Sequence, residues 1–222
     1  MAERAPPLPR RIAFAPRLVI MAKCPRAGSV KRRLGASLGT VAACQIYRRC
    51  LAHTLRRLGA SSRWRTVLAI TPDADLRAGL WSHVMPANGI ARLGQGGGDL
   101  GRRMQRLFAG LPPGPAIIIG SDIPAIRPTH IAEAFRLLDR HDAVLGPAQD
   151  GGFWLIGLRR SPRLLSPFRR VRWSGPHALA DTLANLKGCR VALAATLDDM
   201  DTEEDYRRSR GASGRLVLPV RK

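Results

Sequence analysis

The sequence has few aromatic residues, which make up only 5% of the chain. No stretch interleaves basic with aromatic residues, the pattern by which many single-strand binders hold nucleic acid. The four cysteines, Cys24, Cys44, Cys50 and Cys189, form no CxxC pair and no His/Cys cluster with zinc spacing. These absences argue against a nucleic-acid partner and a structural zinc site, and they predict reduced thiols in a cytoplasmic protein.

Long hydrophobic runs are absent as well. No run approaches the roughly 20 apolar residues that span a bilayer. Arg4, Arg10 and Arg11 precede an apolar run at Leu18 to Ala22, but this run is far shorter than a signal-peptide core and no cleavage site follows it. We therefore expect a soluble, cytoplasmic protein without a transmembrane segment.

Acidic residues are scarce relative to basic ones. The chain has 37 Lys and Arg against 16 Asp and Glu, which gives a formal net charge of +21 at pH 7. Such a field attracts phosphates, nucleic acid or anionic membrane surfaces. A largely solvated basic surface explains the excess equally well, because charge statistics do not locate a site.

Strand-like and helix-like segments alternate along the chain, and no internal repeat or long linker interrupts them. With 222 residues and a hydrophobic content of 45%, the chain is long enough for one sizeable domain. The alternation predicts a single α/β domain with a mostly parallel central sheet and helices on both faces. We expect this domain to span residues 17–209, after a poorly ordered lead-in at residues 1–16 and before a basic tail at residues 210–222.

Apolar spacing and capping residues predict the individual elements. Residues 40–58 have helical spacing with Thr40 as a candidate N-cap, and Pro128 can open a helix that runs to about residue 140. Ser174 is expected to cap a helix over residues 174–186, and Thr202 with Asp205 to cap the last helix. The predicted strands are Leu18–Ala22, Thr66–Thr71, Ile90–Leu93, Ala116–Ile119, Ala143–Leu145, Phe153–Leu158 and Val191–Leu197.

Two continuous apolar runs each lead into a loop that carries an aspartate. IIIGSDIPAI places Asp122 after the first run, and DAVLGPAQDGG places Asp150 after the second. Such runs are typical of fully buried parallel strands, and open α/β sheets bind ligands at the carboxyl ends of these strands. A carboxylate in such a loop can reach a divalent cation or a sugar hydroxyl, so we expect the chemistry here.

Asp122 is the strongest single metal candidate. It lies between a buried strand and a proline turn, and hard divalent cations prefer carboxylate oxygens. Asp201 can supply a second carboxylate from a distant part of the chain. Each residue also has a purely structural interpretation, Asp122 as a turn residue that bonds its own backbone and Asp201 as a favourable charge at a helix start.

Two glycine-containing loops carry candidate phosphate contacts. In the first loop, Gly28 allows close backbone approach, and Lys31, Arg32 and Arg33 place positive charge at the start of a helix. This loop lacks the P-loop pattern, and a solvated basic turn is the alternative. The second loop, GQGGGDLGRR, suits a phosphorylated nucleotide, whereas a flexible turn with Asp99 as a helix cap is its alternative.

Six blocks of the sequence resemble a known family. In chain order they are AKCPRAGSVKRRL, QGGGDLGRRM, IGSDIPAI, DAVLGPAQDGGFWLIGL, RWSGPHALADTL and DMDTEEDY, and they resemble the DUF2064 group of bacterial proteins with a GT-A-type fold. The resemblance runs from about Leu18 to Tyr206. The wider superfamily comprises nucleotide-diphospho-sugar transferases and nucleotidyltransferases. The resemblance implies a nucleotide site at the first loop, a metal near Asp122 and a further metal ligand at Asp201.

The chain departs from the family pattern at several positions. Arg32 stands where the first loop usually has a small polar residue, and Arg102 stands where the second loop usually has an acid. Ala125 removes a carboxylate that often follows the SDxP turn, so a metal would depend more on Asp122 and the substrate phosphates. Residues 150–152, DGG, are retained, which supports contact with a donor sugar or an acceptor.

These features lead to the hypothesis of a metal-dependent transferase that uses a nucleotide-activated donor, with a glycosyltransferase acting on a nucleotide-diphospho-sugar as the first choice. Mg²⁺ or Mn²⁺ would be held by Asp122 and Asp201, and a small-molecule acceptor hydroxyl would be oriented or deprotonated by Asp150, the catalytic candidate. The predicted nucleotide or phosphate contacts are Lys23, Gly28, Lys31, Arg33, Gln95, Gly98 and Arg103, and the predicted substrate contacts are Gly151, Gly152 and Trp173.

Two alternative functions stay open at this point. The first is a guanylyltransferase-like nucleotidyltransferase that joins a nucleoside triphosphate to a phosphorylated acceptor and releases pyrophosphate, which the three cations at residues 31–33 suit. The second, with less support, is a non-catalytic basic protein that binds nucleic acid. Product identity distinguishes the first from glycosyl transfer, and a steep salt dependence distinguishes the second.

Overall fold

A computed structural model of the chain describes residues 15–85, 90–161 and 163–212. The predicted lead-in at residues 1–16 and tail at residues 210–222 lie mostly outside the described residues, and these boundaries stay predictions. The described strands are β1 (Arg17–Lys23), β2 (Arg65–Thr71), β3 (Ala91–Gly94), β4 (Ala116–Ile119), β5 (Ala143–Pro147), β6 (Phe153–Leu158) and β7 (Val191–Leu193). The helices are α1 (Arg32–Leu38), α2 (Thr40–Gly59), α3 (Leu100–Gly110), α4 (Pro128–Leu138), α5 (Ala178–Asn185) and α6 (Glu203–Ala212).

The strands form one sheet in the order β3-β2-β1-β4-β6-β5-β7. Pairing is parallel except at β6, which runs antiparallel to both β4 and β5. The predicted α/β architecture with a mostly parallel sheet is therefore confirmed. Because every strand but β6 points the same way, the loops that follow β1, β2, β3, β4 and β5 leave the sheet at the same edge.

The central strands are buried on both faces, which explains their continuous apolar sequences. Side chains alternate along β1, so Leu18 and Ile20 join one core while Val19 joins the other. The first core also contains apolar side chains of α2 and α4, and the second contains those of α3. None of the described helices is long and apolar enough to cross a membrane.

A third, smaller core fixes the last helix near the first. Leu34 of α1 and Ile46 of α2 pack in one cluster with Met200 and Tyr206, from the segment before α6 and from α6 itself. The N-terminus of α6 has the predicted reciprocal cap, because Thr202 N donates to Asp205 Oδ2 (2.8 Å) and Asp205 N donates to Thr202 Oγ1 (3.2 Å). This packing brings the acidic segment before α6 to the carboxyl edge of the sheet.

Three predicted element boundaries are wrong. Ser174 does not cap α5, because it has φ 62 and the chain forms turns until the helix begins at Ala178. The last strand ends at Leu193 rather than at residue 197, because its pairing with β5 stops at Leu145 and the segment beyond it makes only scattered backbone bonds, such as Leu197 N to Pro147 O (3.2 Å). Thr40 is the first residue of α2, and Gly39 is its N-cap.

Candidate functional site

Three carboxylates converge at the carboxyl edge of the sheet. Asp122 follows β4, while Asp199 and Asp201 lie in the segment between β7 and α6. One oxygen from each lies within 4.8 Å of the others. The backbones are tied together as well, because Met200 N donates to the Asp122 carbonyl oxygen (3.0 Å). Three carboxylate oxygens in this arrangement fit a hard divalent cation such as Mg²⁺ or Mn²⁺.

The ammonium group of Lys31 lies against the same carboxylates. Lys31 forms an ion pair with Asp122 and another with Asp201, where Nζ and Oδ1 are 2.7 Å apart, and its side chain is only 4% exposed. Burial lowers the pKa of Lys31, but the charges of Asp122 and Asp201 more than offset burial and hold the pKa above its ordinary value. Lys31 is therefore a charged counterion of two of the three acids.

The third acid, Asp199, was not predicted from the sequence. Burial raises the pKa of Asp199 to about 6, and the neighbouring charges of Asp201, Asp122 and Asp150 add to the shift. The sequence signal that could have identified it is the run DDMD, which places Asp199 two residues before Asp201. The adjacent Asp198 has a structural contact instead, because its Oδ1 accepts a hydrogen bond from Gln149 N (2.9 Å).

A cavity of about 490 Å³, here called the first pocket, opens beside the carboxylates. The ends of β1 and β4, the first loop and the start of α3 contribute to its wall. Five cationic side chains line it: Lys23, Lys31, Arg32, Arg33 and Arg103. This concentration of positive charge fits the phosphates of a nucleotide.

Gln95 and Arg103 line the first pocket, and each fixes a neighbouring part of the chain by hydrogen bonds. The buried Gln95 side chain donates from Nε2 to the carbonyl oxygens of Ala22 (3.3 Å) and Ala69 (2.8 Å), which joins the ends of β1 and β2. Arg103 Nε donates to the carbonyl oxygen of Gly98 (2.8 Å). The second glycine loop is thus fixed to the helix that follows it, whose N-terminus Asp99 caps by accepting from Arg102 N (2.7 Å).

Tyr47 of α2 connects the first loop to the turn that carries Asp122. Its hydroxyl accepts from Lys23 N (3.0 Å), donates to Lys23 O (3.1 Å) and lies 3.1 Å from Ser121 Oγ. Burial raises the pKa of Tyr47, so the hydroxyl stays protonated and can donate. The helical spacing of the sequence predicts only that Tyr47 faces inward, and no sequence signal indicates this bridging contact.

Replacing Tyr47 by Phe should destabilise the protein by about 1–3 kcal/mol, because the part-buried backbone groups of Lys23 and the buried hydroxyl of Ser121 lose their partner. It should also weaken nucleotide binding, since Lys23 lines the first pocket. Urea unfolding and nucleotide titration measure the two effects. Ser121→Ala, which leaves both Lys23 contacts of Tyr47 intact, is expected to cost less, and equal unfolding curves for wild type and Tyr47→Phe would contradict the bridging role.

A second pocket of about 260 Å³ adjoins the first, and Asp122 lines both. Asp150, Gly152, Trp173 and Asp199 line it together with Asp122. Asp150 is exposed in the turn between β5 and β6, and its Oδ1 accepts from Gly152 N (2.8 Å). The carboxylate thus has a fixed orientation at the pocket wall.

Gly151 supports the second pocket without lining it. It has φ 80, and a Cβ at this position would lie 2.3 Å from the carbonyl oxygen of Pro176. The turn over residues 173–177, which carries Trp173, can therefore pack directly on the backbone of Gly151. Gly28 and Gly98 likewise lie in the two glycine loops with positive φ and line neither pocket.

The predicted site residues thus fall into three groups. Lys23, Lys31, Arg33, Gln95, Arg103, Asp122 and Asp201 surround the first pocket, and Asp150, Gly152 and Trp173 line the second with Asp122. The glycines at 28, 98 and 151 shape the adjoining loops. The roles assigned to these residues stay predictions.

Fold and site together define an α/β protein of the GT-A or Rossmann-like class, with one reversed strand in the sheet and acids at its carboxyl edge. Within this class, the chain belongs to the DUF2064 family, described as an uncharacterised protein conserved in bacteria, whose sequence profile matches residues 54–175. No curated protein matches the chain in sequence.

Several solved structures are similar to the chain. A proposed nucleotide-diphospho-sugar transferase from Desulfovibrio desulfuricans G20 has a TM-score of 0.81 and 28% sequence identity, over 91% of this chain and 90% of that one. Rv0371C from Mycobacterium tuberculosis H37Rv, in complex with manganese, has a TM-score of 0.53 and 15% identity, over 90% of this chain and 100% of that one. A cytidylyltransferase from Leptospira borgpetersenii has a TM-score of 0.58 and 15% identity, over 92% and 89% of the two chains. The last two show similarity of fold alone.

Proposed function

We propose that the protein is a metal-dependent glycosyltransferase that uses a nucleotide-diphospho-sugar as donor. The observation that carries this proposal is the position of the carboxylate cluster, Asp122, Asp199 and Asp201, between a cationic pocket and a second pocket lined by aromatic and acidic side chains. The Desulfovibrio relative, itself a proposed nucleotide-diphospho-sugar transferase, supports the same substrate class. The cytidylyltransferase neighbour supports nucleotide use more generally.

The first pocket would bind the nucleotide diphosphate. Lys23, Arg33 and Arg103 line this pocket and would contact the phosphates, and Lys31 would contribute its charge near the bond that breaks. Gln95 would hold the strand ends in place below the nucleoside. Gly28 and Gly98 would allow the turns of the two loops beside the ligand, because glycine adopts positive φ without strain.

The carboxylate cluster would hold Mg²⁺ or Mn²⁺. Asp122 and Asp201 are joined in this role by Asp199, which completes a set of three oxygen ligands. A bound cation would neutralise the negative charge that develops on the leaving diphosphate. The structure of Rv0371C in complex with manganese is consistent with metal binding in this fold.

Asp150 would act on the acceptor from the second pocket. Its Oδ1 is oriented by the hydrogen bond from Gly152 N, and the carboxylate is exposed toward a ligand. As the acceptor oxygen bonds to the anomeric carbon and the bond from that carbon to the diphosphate breaks, Asp150 would take the hydroxyl proton. Gly152 and Trp173 would contact the sugar or the acceptor in the same pocket.

A nucleotidyltransferase is the second candidate. Arg32 and Arg33 add cations beyond Lys31 to the wall of the first pocket, which suits the triphosphate of an activated nucleotide. The fold of the Leptospira cytidylyltransferase is compatible with this alternative. The acceptor would then be a phosphorylated small molecule, and pyrophosphate would be released.

Product analysis tests the two candidates directly. The protein is incubated with Mn²⁺ and a panel of nucleotide sugars, or with nucleoside triphosphates and sugar phosphates, each with an acceptor panel. We expect metal-dependent release of nucleoside diphosphate in the first set and no pyrophosphate in the second. Pyrophosphate release would support nucleotidyl transfer instead. Binding to nucleic acid that falls steeply with salt, without any product in either set, would favour the non-catalytic alternative.

A further inference from the structure

The two pockets share a wall but differ in charge. Asp122 belongs to both, yet the first pocket has five cationic side chains and the second has none among its described lining residues. The charged groups that line the second pocket are all carboxylates: Asp122, Asp150 and Asp199. In a chain with a net charge of +21, a pocket without a cation is a local exception.

This charge separation decides which chemical group can enter each pocket. A phosphate dianion in the second pocket would lie beside carboxylates and would find no Lys, Arg or His among the lining residues. Like charges at short range repel strongly where water is partly excluded. Even after a cation neutralises Asp122 and Asp199, Asp150 stays as an unneutralised acid on the pocket wall.

The remaining walls of the second pocket are suited to an uncharged ring. Phe153, Trp154 and Trp173 contribute aromatic surface, which packs well against the C–H face of a sugar. Carboxylate oxygens, such as those of Asp150, accept hydrogen bonds from hydroxyl groups. The volume of about 260 Å³ is smaller than the roughly 300–1,000 Å³ of drug-sized ligand sites, so it suits one ring rather than a chain of several.

Trp173 packs against neighbouring groups of the protein. Its ring lies edge-on to Phe153, with the ring centroids 6.2 Å apart. Gly101 of α3 also lies close to it, because a Cβ on Gly101 would lie 2.8 Å from the Trp173 ring. An aromatic side chain that is already packed loses little entropy when a ligand contacts it.

From these observations we propose that the second pocket binds a hydroxylated, uncharged ring, a monosaccharide or cyclic polyol, and rejects a ligand that places a phosphate there. The inference rests on the proposed function, because it names the chemical class of the group that faces the nucleotide site. It also makes Asp150 a specificity-determining residue, whose negative charge excludes phosphorylated acceptors.

Binding of matched probes to the full-length protein tests this proposal. The probes are glucose and inositol, their monophosphates, and glucosamine, each measured by saturation-transfer NMR with Mg²⁺ and uridine or guanosine diphosphate present. We expect the best neutral probe to bind at least tenfold more tightly than its own phosphate. Tighter binding of either phosphate than of its neutral partner, or binding of glucosamine alone, would overturn the proposal, as would no binding of any probe.

Substitutions at two positions of the pocket, with one control on α4, test whether the pocket determines the selectivity. Asp150→Lys should raise the affinity of the phosphate relative to its neutral partner by at least tenfold, and this exposed substitution should leave the fold intact. Glu133→Lys makes the same charge change on the exposed surface of α4 and should leave the ratio unchanged. Trp173→Ala should weaken binding of the neutral probe, and Trp173→Phe should bind it more tightly than Trp173→Ala does. An unchanged ratio in Asp150→Lys would contradict the role of Asp150.

The same experiment separates this proposal from the proposed function. Nucleoside diphosphate binding to the first pocket is measured in parallel by titration with and without Mg²⁺. Failure of every nucleotide to bind would contradict the proposed function itself. Normal nucleotide binding combined with a preference for phosphorylated probes would overturn only the inference about the second pocket.

Discussion

Asp122→Asn should lower the affinity for Mn²⁺ by at least about 100-fold. Loss of a residue that only hydrogen-bonds to a metal ligand already lowers metal affinity by roughly 10- to 100-fold, and loss of a ligand should cost more. The substitution keeps the shape of the side chain but removes the charge that faces Asp199, Asp201 and Lys31. Metal-dependent nucleotide binding should fall with it, because Asp122 lies where the two pockets meet. Calorimetric titration with Mn²⁺, followed by nucleotide titration at a Mn²⁺ concentration that just saturates the wild type, measures both effects.

Glu204→Gln is a matched control for this experiment. Glu204 is exposed in the first turn of α6, three residues after Asp201, and is not part of the carboxylate cluster. Glu204→Gln removes one negative charge near the site, as Asp122→Asn does. If the loss of negative charge alone lowered the affinity for Mn²⁺, both variants would show it. We expect an unchanged affinity for Mn²⁺ in Glu204→Gln. Wild-type affinity in Asp122→Asn would exclude Asp122 as a metal ligand.

Asp199→Asn extends the test to the acid that the sequence did not indicate. If Asp199 completes the set of oxygen ligands, its loss should weaken Mn²⁺ binding in the same direction as the loss of Asp122. The raised pKa of Asp199 arises mainly from burial, and an amide fits this half-buried position at less cost than a lone carboxylate. The variant should therefore fold well, which makes its metal affinity easy to interpret.

The fold was largely predictable because its central strands are buried on both faces. Ile117, Ile118 and Ile119 of β4 divide between two cores, so every position of the strand is apolar and the run is conspicuous in the sequence. The N-terminus of α5 was not predictable in the same way. Ser174 is a good capping residue by composition, but it has φ 62 and lies in a turn whose Pro176 packs on the backbone of Gly151.

The site was predictable where it depends on strand ends and not where it depends on helix packing. Asp122 follows a buried strand directly, and the edge of a parallel sheet gathers such residues in any protein of this class. The approach of Asp199 and Asp201 to Asp122 depends instead on how Met200 and Tyr206 pack against α1 and α2. The sequence alone does not encode that distance in any local pattern.

Lys31 illustrates the same difference. Its place in the basic loop suggests a phosphate contact, yet the left-handed backbone at φ 47 and ψ 51 turns it into the carboxylate cluster. The cationic surface of the first pocket is thus assembled chiefly from Lys23, Arg32, Arg33 and Arg103, whereas Lys31 also balances the acids. A sequence pattern lists the charges of a loop but not the partners that each of them meets.

Lys31→Met should destabilise the metal-free protein by about 3 kcal/mol. Removing one partner of a buried ion pair costs roughly 3–5 kcal/mol, and the lower value applies because Asp201 is 43% exposed. With Lys31 gone, Asp122 loses its counterion and Asp201 keeps only the looser ion pair with the exposed Arg33 (4.0 Å), so the carboxylates of the cluster repel one another. For a chain of this size, the melting temperature should fall by roughly 6–12 °C, which differential scanning calorimetry measures.

Mn²⁺ should restore much of the stability lost in Lys31→Met, because a divalent cation among the three carboxylates replaces the missing positive charge. The rise in melting temperature on adding Mn²⁺ should therefore be larger in the variant than in the wild type, in which the metal and Lys31 share the same acids. Lys187→Met, at an exposed position after α5, removes a lysine of equal charge and should change neither the melting temperature nor the response to Mn²⁺. Equal responses to Mn²⁺ in the wild type and Lys31→Met would show that Lys31 is not the counterion that stabilises the cluster before the metal binds.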